Sequence, residues 1–328
     1  MIRILNAEPD NYSAEARQIL ASIGELVEKR LSQDELPQWV SDFDVLIVRL
    51  GLTVSREVIE AGYRLRAIVT ATTGLDHIDV ESAEARGIAV LSLKGETEFL
   101  RSIPATAEHT WGLLLALVRR IPQAFESVRA GEWNRDLFRG RDLAGKRLGV
   151  VGLGRIGERV ARYGLAFGMQ VAAFDPYRSD WPDDVCRCST LEDLLRRSDV
   201  LSLHVPLNAE TYHMIGEKEL ALLPQGAVLV NTARGMVVDE KALLTVLKNG
   251  HLGGAALDVL EDETSMQDFE SNPLIEYARK HDSLLITPHL GGATVESMAA
   301  TEVFIANKLK SFLYQCGGID DAKPSDLF

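Results

Sequence analysis

Three glycines, Gly152, Gly154 and Gly157, form the clearest chemical motif of the sequence, in the segment VVGLGRIGERVARYG. An apolar run ends at the first glycine and a helix-forming run follows at once, which is the context of a dinucleotide-binding site. The first glycine permits a tight turn, the second lets the backbone approach a pyrophosphate, and the third lets the helix pack against the strand. The helix opens with Arg155 and Ile156, and its free N–H groups favour a phosphate. The motif therefore predicts a bound dinucleotide.

Asp175 ends the next predicted strand, 18 residues after Gly157. A carboxylate at this separation accepts hydrogen bonds from the adenosine ribose and repels the 2′-phosphate of NADP. The sequence therefore favours NAD, although the nearby Arg178 leaves NADP open.

Polar residues that suit hydride chemistry follow three later predicted strands. Arg234 lies in VLVNTARG, His289 in LLITPHLGGAT and His204 in LSLHVPL. Reduction of a carbonyl by hydride needs a cation that holds the substrate and an acid that protonates the oxygen. Arginine suits a carboxylate and histidine exchanges protons near neutral pH. By position alone, a surface ion pair for Arg234 and a structural role for His289 stay open.

The segment GGAALDVLEDET offers carboxylates that could tune the histidine. A buried carboxylate beside His289 would favour the imidazolium. Spacing does not choose among Glu261, Asp262 and Glu263, and the run is also typical of a solvated acidic loop. Asp258, at the strand end, could contact a nicotinamide carboxamide or cap a turn.

Short apolar runs alternate with helical segments along almost the whole chain, which is typical of parallel sheets with helices on both faces. With 328 residues the chain suits two such domains. The predicted strands are Ile2–Leu5, Val45–Val48, Ala67–Ala71, Ala89–Leu93, Leu148–Val151, Val171–Phe174, Val200–Val205, Val228–Asn231, Ala255–Val259 and Leu284–Thr287.

Two long helices interrupt this alternation. The first is predicted over Ala105–Arg120, with Pro104 at its start. Pro122 should end or kink it, and a second helix could continue over Pro122–Arg129. The other covers about Thr294–Tyr314. We expect these helices to connect the two domains, and simple surface helices are the alternative.

The formal net charge of -13 disfavours nucleic acid and anionic membranes as partners. The sequence has no apolar run of about 20 residues and no pattern of a signal peptide, so we expect a cytoplasmic location. The three cysteines, Cys186, Cys188 and Cys316, do not form a disulfide framework. No second Cys/His pair lies near the first two, so we expect no metal site.

Six motifs occur in an order that resembles the D-isomer-specific 2-hydroxyacid dehydrogenase family: GLGRIG, FDPY, LHVPLNAET, VNTARG, GAALDVLEDE and TPHLGG. The resemblance extends from about Val45 to Ala300. It implies two Rossmann-like, doubly wound domains with parallel sheets. The substrate domain would be discontinuous, comprising residues 1–104 and 293–328, and the NAD-binding domain, residues 105–292, would be inserted.

The resemblance also implies the roles that spacing leaves open. Arg234 would bind the carboxylate and carbonyl of a 2-oxo acid, His289 would be the acid and base, and Glu263 its partner. Glu261 and Asp262 would lie outside the site. The motifs and the resemblance together place the cofactor against Gly152, Gly154, Arg155, Ile156, Gly157, Asp175, His204, Val205, Pro206, Thr232, Ala233, Asp258, Gly291 and Gly292.

A substrate loop is implied by TTGLDHID, in which backbone N–H groups of Thr73, Gly74 and Leu75 would hold the substrate carboxylate. The family usually dimerises through the helix that matches Ala105–Arg120, so we expect a homodimer.

The sequence departs from the family pattern in KGETEFLRSIPATAEHT, which is longer by about five residues. This loop should border the active site, where Lys94 and Arg101 could hold a second anionic group of the substrate. Arg49 is a further candidate, and for all three an ordinary surface role is the alternative. Thr264 replaces a proline that is common after the catalytic glutamate. We expect no regulatory serine-binding domain of the kind found on some phosphoglycerate dehydrogenases.

The sequence therefore predicts an NAD-dependent dehydrogenase or reductase of a small 2-hydroxy or 2-oxo acid. Formate and phosphite dehydrogenases use the same scaffold on other hydride donors. A non-enzymatic alternative is an NAD-sensing dimer like the family's transcriptional corepressors.

Overall fold

The computed structural model describes residues 1–263, 266 and 268–315. The described residues form two compact units: Met1–Leu100 with residues 294–315, and Arg101–Ala293. Thr264 and Cys316 lie outside the described residues. Within the described part of the chain, no helix is long and apolar enough to cross a membrane.

The first unit contains a sheet of five parallel strands in the order β2-β1-β3-β4-β5. In chain order the strands are β1 (Arg3–Asn6), β2 (Glu25–Glu28), β3 (Val45–Val48), β4 (Ala67–Thr70) and β5 (Ala89–Leu91). Every residue of β3 and β4 is buried, as expected for apolar strands covered on both faces. Strand β2 was not predicted, because its ELVE run begins and ends with a glutamate at the sheet edge.

Short helices connect these strands, and one more follows β5. They are α1 (Ala14–Ile23), α2 (Leu36–Val40), α3 (Arg56–Ala61), α4 (Val80–Ala85) and α5 (Thr97–Leu100). Side-chain caps fix two of the helix starts, since Ser13 accepts a hydrogen bond from Ala16 N–H and Asp79 accepts one from Ser82 N–H.

The second unit contains seven parallel strands in the order β12-β11-β10-β9-β6-β7-β8. They are β6 (Arg147–Val151), β7 (Gln170–Phe174), β8 (Cys186–Arg187), β9 (Val200–Leu203), β10 (Val228–Asn231), β11 (Gly254–Leu257) and β12 (Leu284–Ile286). The strand order reverses between β6 and β9, and ligands bind at the carboxyl ends of strands at such a point. The two parallel sheets confirm the predicted fold class, although the two-residue edge strand β8 was not predicted.

The helices of this unit are α6 (Ala105–Val118), α7 (Ile121–Arg129), α8 (Arg155–Ala166), α9 (Leu191–Leu195), α10 (Glu217–Leu222), α11 (Glu240–Lys248) and α12 (Pro273–Ala278). Single turns of 3-10 helix lie at Arg135–Phe138 and Gly235–Val237. The predicted break before Pro122 is confirmed, because α6 ends at Val118 and Arg120 adopts a left-handed conformation.

Apolar cores cover both faces of the seven-stranded sheet. Successive residues of one strand enter opposite cores, as Val228 and Leu229 do in β10. The last helix, α13 (Val295–Gln315), belongs to the first unit and packs on α1.

Candidate active site

The glycine-rich turn after β6 has the conformation that a dinucleotide site requires. Gly152 has φ +83°, and a Cβ there would lie 2.5 Å from the carbonyl oxygen of His204. A Cβ on Gly157 would lie 2.0 Å from the carbonyl oxygen of Gly152, so α8 packs directly on the strand end. By contrast, a Cβ on Gly154 would meet no described atom within 4 Å. Open space beside the start of a helix is what a pyrophosphate needs, so these residues fit a dinucleotide.

Arg155 places a positive charge on the first residue of α8. Burial, and then the charge of Arg159, lowers the pKa of its guanidinium. Within the described part of the chain, Arg155 has no acidic partner. A cation at a helix N-terminus is unfavourable by itself, because the helix dipole is positive there, and an anion would compensate both. Ile156, next to it, is half-buried.

Asp175 follows β7 and faces the glycine turn. One carboxylate oxygen accepts a hydrogen bond from Leu153 N–H at 2.9 Å and the other accepts one from Tyr177 N–H at 3.0 Å. Arg178 contacts Leu153 O and Glu158, whose carboxylate lies 2.9 Å away. The charge of Arg178 is therefore compensated by the protein itself.

His204, Val205 and Pro206 follow β9, on the other side of the strand reversal. The Nε2 atom of His204 and the Ser202 hydroxyl are hydrogen-bonded at 2.8 Å. Burial lowers the pKa of His204 to about 3, so its imidazole is neutral. Val205 lies close enough to Gly152 that a Cβ there would contact it at 2.9 Å, whereas Pro206 is exposed.

The loop that carries Arg234 follows β10 and is held by Asn231. The Asn231 amide donates to Arg234 O at 2.9 Å and accepts from Ala233 N–H at 3.0 Å. Thr232 contacts the hydroxyl of Thr110 on α6 at 2.8 Å. The Arg234 guanidinium donates to Ala233 O at 2.7 Å, among further contacts. These bonds fix the backbone from which the guanidinium projects.

His289 and Glu263, which the resemblance implies as the acid and base and its partner, lie in contact with each other. The Nδ1 atom of His289 is hydrogen-bonded to one carboxylate oxygen of Glu263, and the second oxygen accepts from Leu260 N–H at 3.0 Å. Both side chains are partly exposed, 28% for the histidine and 23% for the glutamate. Because Nδ1 is engaged, Nε2 is the nitrogen that can exchange a proton with a bound molecule.

The structure separates the three members of the acidic run. Glu261 turns to His213, with its carboxylate 2.7 Å from Nε2, and accepts a hydrogen bond from Glu240 N–H. Asp262 is exposed and adopts φ +53°. Of this run, Glu263 is the residue that contacts His289.

Asp258 organises the loop after β12 from the end of β11. Its carboxylate accepts hydrogen bonds from Leu290 N–H and Gly291 N–H, each at 2.7 Å, and from the Thr287 hydroxyl at 2.6 Å. Its carbonyl oxygen accepts from His289 N–H at 2.8 Å. Next along the loop is Gly292, where a Cβ would meet no described atom within 4 Å.

In the first unit, the predicted substrate loop lies between β4 and α4. Thr73 is exposed, the Thr72 hydroxyl donates to Gly74 O at 2.8 Å, and Ile78 N–H donates to Leu75 O at 2.9 Å. These bonds give the loop a defined shape without using the N–H groups that were predicted to bind substrate.

Arg49 follows β3 in the same unit. Its guanidinium donates to Asp10 O at 2.9 Å, contacts Met298 Sδ at 3.3 Å and lies 3.7 Å from the Glu302 carboxylate. The structure therefore gives Arg49 three partners within the protein. Lys94 and Arg101 are exposed.

Four residues that contact the loops of the candidate site were not predicted from the sequence: Asn231, Gly235, Thr287 and His109. A Cβ on Gly235 would lie 2.0 Å from the carbonyl carbon of Leu260, so the Arg234 loop packs against the backbone of the Glu263 loop. A signal for His109 was present in the sequence. Thr106, His109 and Thr110 form a polar face at helical spacing on a largely apolar helix.

Comparison with known proteins identifies the family. Residues 111–291 match the model described as D-isomer specific 2-hydroxyacid dehydrogenase, NAD binding domain. A D-3-phosphoglycerate dehydrogenase of Methanocaldococcus jannaschii is 40% identical over 320 residues, which cover 95% of this chain and 58% of that protein. A hydroxypyruvate reductase of Thermotoga maritima is 37% identical, covering 92% of this chain and 95% of that protein.

Among solved structures, the D-lactate dehydrogenase of Aquifex aeolicus complexed with NAD and lactic acid has a TM-score of 0.79 and 32% identity. The match covers 98% of this chain and all of that one. The chain belongs to the D-isomer specific 2-hydroxyacid dehydrogenase family. The predicted family and the predicted NAD cofactor are confirmed. The chain spans a little over half of the Methanocaldococcus relative.

Proposed function

We propose that this protein is an NAD-dependent D-2-hydroxyacid dehydrogenase that interconverts a small 2-hydroxy acid and its 2-oxo acid. The observation that carries the proposal is the arrangement of three side chains. Arg234, Glu263 and His289 follow β10, β11 and β12, which are adjacent parallel strands, and the histidine and glutamate are hydrogen-bonded. Three such groups at one sheet edge suit a reaction that needs a carboxylate clamp and a proton donor.

Each residue has a defined task in this reaction. The nicotinamide, when bound, supplies the hydride for reduction and accepts it for oxidation. Arg234 binds the substrate carboxylate and polarises the carbonyl at C2, because a guanidinium offers two parallel donors. His289 gives the proton on Nε2 to the carbonyl oxygen as the new C–H bond forms at C2. Glu263 stabilises the positive charge of the imidazolium through Nδ1.

The proposed cofactor contacts favour NAD over NADP. Asp175 presents its carboxylate beside the glycine turn, and the charge of Arg178 is already matched by Glu158. A 2′-phosphate near Asp175 would therefore meet a negative charge, and the nearby Arg178 is already paired with Glu158. Gly154, at the start of α8, offers the space for the pyrophosphate.

We extend the proposal to a substrate with a second anionic group, such as a phosphorylated 2-oxo acid. The loop that carries Lys94 is held in place within the first unit, because Lys308 donates to Ser92 O at 2.9 Å and pairs with Glu96. Phe99 stacks on Phe304 with ring centroids 4.1 Å apart. An anchored loop with an exposed lysine can present that charge at a fixed position.

A homodimer is also part of the proposal. Five large apolar side chains are exposed on α7 and the segment that follows it. They are Ile121, Phe125, Val128, Trp133 and Leu137, with Trp133 exposed by 90%. This patch directly follows the helix that the resemblance implies as a dimer interface, so we assign it to a second copy of this chain. Sedimentation of Trp133→Glu should then show a lighter species than wild type, and an unchanged mass would contradict the assignment. The cytoplasmic location stays a prediction from sequence.

The test of the function is oxidation of NADH by the purified protein with glyoxylate, hydroxypyruvate, pyruvate and 3-phosphohydroxypyruvate. His289→Gln is the control, because it keeps a polar side chain but exchanges no proton. We expect turnover with at least one acid that is lost in the variant while NADH still binds. Clear binding of NADH without turnover of any acid would contradict the proposed reaction and favour an NAD-sensing role.

The second anionic site is tested with Lys94→Ala and Arg101→Ala. Each should lower kcat/KM for 3-phosphohydroxypyruvate and leave that for glyoxylate nearly unchanged. Lys218→Ala removes another exposed lysine, on α10, and serves as the matched control. Equal effects on both substrates would contradict a role in recognising the second anion.

A further inference from the structure

The carboxylate of Asp258 is one of the most enclosed charged groups of the second unit. The residue is 1% exposed. A buried charge is stable only when hydrogen-bond donors surround it. Burial by itself would raise the pKa of Asp258, but hydrogen bonds from His109, Thr287 and Leu290 lower it below its ordinary value. Asp258 is therefore an ionised hydrogen-bond acceptor, and the groups that donate to it are held in place by its position.

Asp258 fixes the backbone on which His289 stands. Its carbonyl accepts from His289 N–H, and its carboxylate accepts from the next two amides, Leu290 and Gly291. His289 itself has φ +54°, a left-handed conformation that residues other than glycine rarely adopt. Such a conformation persists only when surrounding contacts impose it. The hydrogen bonds that Asp258 accepts from these three amides are such contacts. The direction of the imidazole therefore depends on this carboxylate.

His109, on α6, reaches Asp258 from the other side. Its Nε2 lies 3.0 Å from the carboxylate of Asp258 and 3.1 Å from the Thr287 hydroxyl. The Thr287 hydroxyl already donates its hydrogen to Asp258, and an ionised carboxylate can only accept hydrogen bonds. Nε2 of His109 therefore carries a hydrogen and is the donor in this contact. The side chain is 21% exposed, so water competes little for the bond.

The same face of α6 contacts both loops of the active site. Thr110 meets Thr232 in the Arg234 loop at 2.8 Å. A Cβ on Gly291, in the His289 loop, would lie 3.3 Å from the Thr106 side chain. The polar face of α6 is thus a common support for the two loops, and His109 is its member that bonds a charged group.

We propose that His109 is a positioning residue: its Nε2–H holds the Asp258 carboxylate, which holds the left-handed backbone of His289 and so keeps the imidazole against Glu263. This inference rests on the proposed function of His289 as the acid and base. It gives His109 a part in the reaction that is exerted through Asp258.

The test compares His109→Phe with His109→Gln in the full-length protein. Phenylalanine fills the space without a donor, whereas the glutamine amide can place an N–H near the position of Nε2. We expect His109→Phe to lower kcat by about 10- to 100-fold, as small misplacements of catalytic groups do, with KM for the 2-oxo acid nearly unchanged. His109→Gln should recover most of kcat, because the donor is restored.

A second readout does not depend on turnover. Hydrogen exchange of the amides of Leu290 and Gly291 should become faster in His109→Phe, by about tenfold or more, and return towards wild type in His109→Gln. His281→Phe is the matched control. His281 precedes β12 at its opposite end and stacks on Tyr277, so its replacement should not change exchange at Leu290.

The two readouts separate the inference from the function on which it rests. If wild-type protein reduces no 2-oxo acid but exchange responds as expected, the proposed function fails and the positioning contact stands. Unchanged exchange in His109→Phe would overturn the inference, whatever the turnover. Equal losses of kcat in His109→Phe and His109→Gln would overturn it too, because a merely structural histidine is not rescued by a donor.

Discussion

Replacing Gly235 by alanine places a methyl group 2.0 Å from the carbonyl carbon of Leu260 and 2.1 Å from its oxygen. Ordinary contacts begin near 3.4 Å, so one backbone must move by about 1.4 Å relative to the other. Neither neighbour is a flexible side chain that could turn away. The movement separates the loop that carries Arg234 from the loop that carries Glu263.

The expected effect on activity follows from that distance. A misplacement of about 1 Å can reduce catalysis by about 100-fold, which corresponds to about 2.7 kcal/mol in the activation free energy. Overpacking of this kind also reduces the free energy of unfolding by about 1–3 kcal/mol. We therefore expect Gly235→Ala to remain folded but to lose about 100-fold in kcat/KM.

The assay measures kcat/KM with the preferred 2-oxo acid, NADH affinity by fluorescence, and Tm. Gly216→Ala is the control, because a Cβ there meets only ordinary contacts, the nearest at 3.4 Å, and lies outside the proposed site. That variant should behave like wild type. Wild-type kcat/KM in Gly235→Ala would refute the argument that these two loops must pack at backbone distance.

Three further substitutions test separate parts of the account. Arg234→Lys should lower kcat/KM for the 2-oxo acid by about 100-fold with NADH affinity unchanged, because an ammonium cannot replace the two-donor fork; an unchanged value would contradict the carboxylate clamp. Asp175→Ala should raise the ratio of kcat/KM with NADPH to that with NADH, and a constant ratio would count against Asp175 as the ribose acceptor. Burial raises the pKa of Glu240 from its ordinary value of 4.5 to about 7. The stability that the protonated carboxyl contributes is therefore fully present below pH 4.5 and is lost as the pH rises through 7. The Tm of Glu240→Gln relative to wild type should therefore increase between about pH 5 and pH 8, and a constant difference would contradict the raised pKa.

Much of the fold could be predicted because buried parallel strands are unbroken apolar runs. The predicted limits of β3 and β10, Val45–Val48 and Val228–Asn231, agree with the structure. Two of the four edge strands, β2 and β8, were not predicted for the same reason. Glu25–Glu28 and Cys186–Arg187 are polar or very short, and an edge strand needs no continuous apolar run.

The candidate site was predictable where a local motif carries its own geometry. The three glycines of the turn lie within six residues and each has a separate steric reason. Glu263 could not be chosen from the acidic run by spacing, since the choice depends on which carboxylate the loop turns towards His289. The resemblance to a family supplied that residue before the structure did.

Contacts between distant parts of the chain lay beyond the sequence. The bond between His109 and Asp258 joins residues 149 positions apart, and no local pattern pairs them. Arg49 and Glu302 are likewise brought together by folding of the first unit, so the partners of Arg49 were not foreseeable.

The central claim is that a hydride moves between the nicotinamide and C2 of the substrate while His289 moves the proton. The most direct measurement is a single turnover with NADH deuterated at C4, followed by chiral separation and mass spectrometry of the hydroxy acid. The account predicts the D isomer with deuterium at C2, and no product from His289→Gln. An L product, or a hydroxy acid without deuterium at C2, would contradict it.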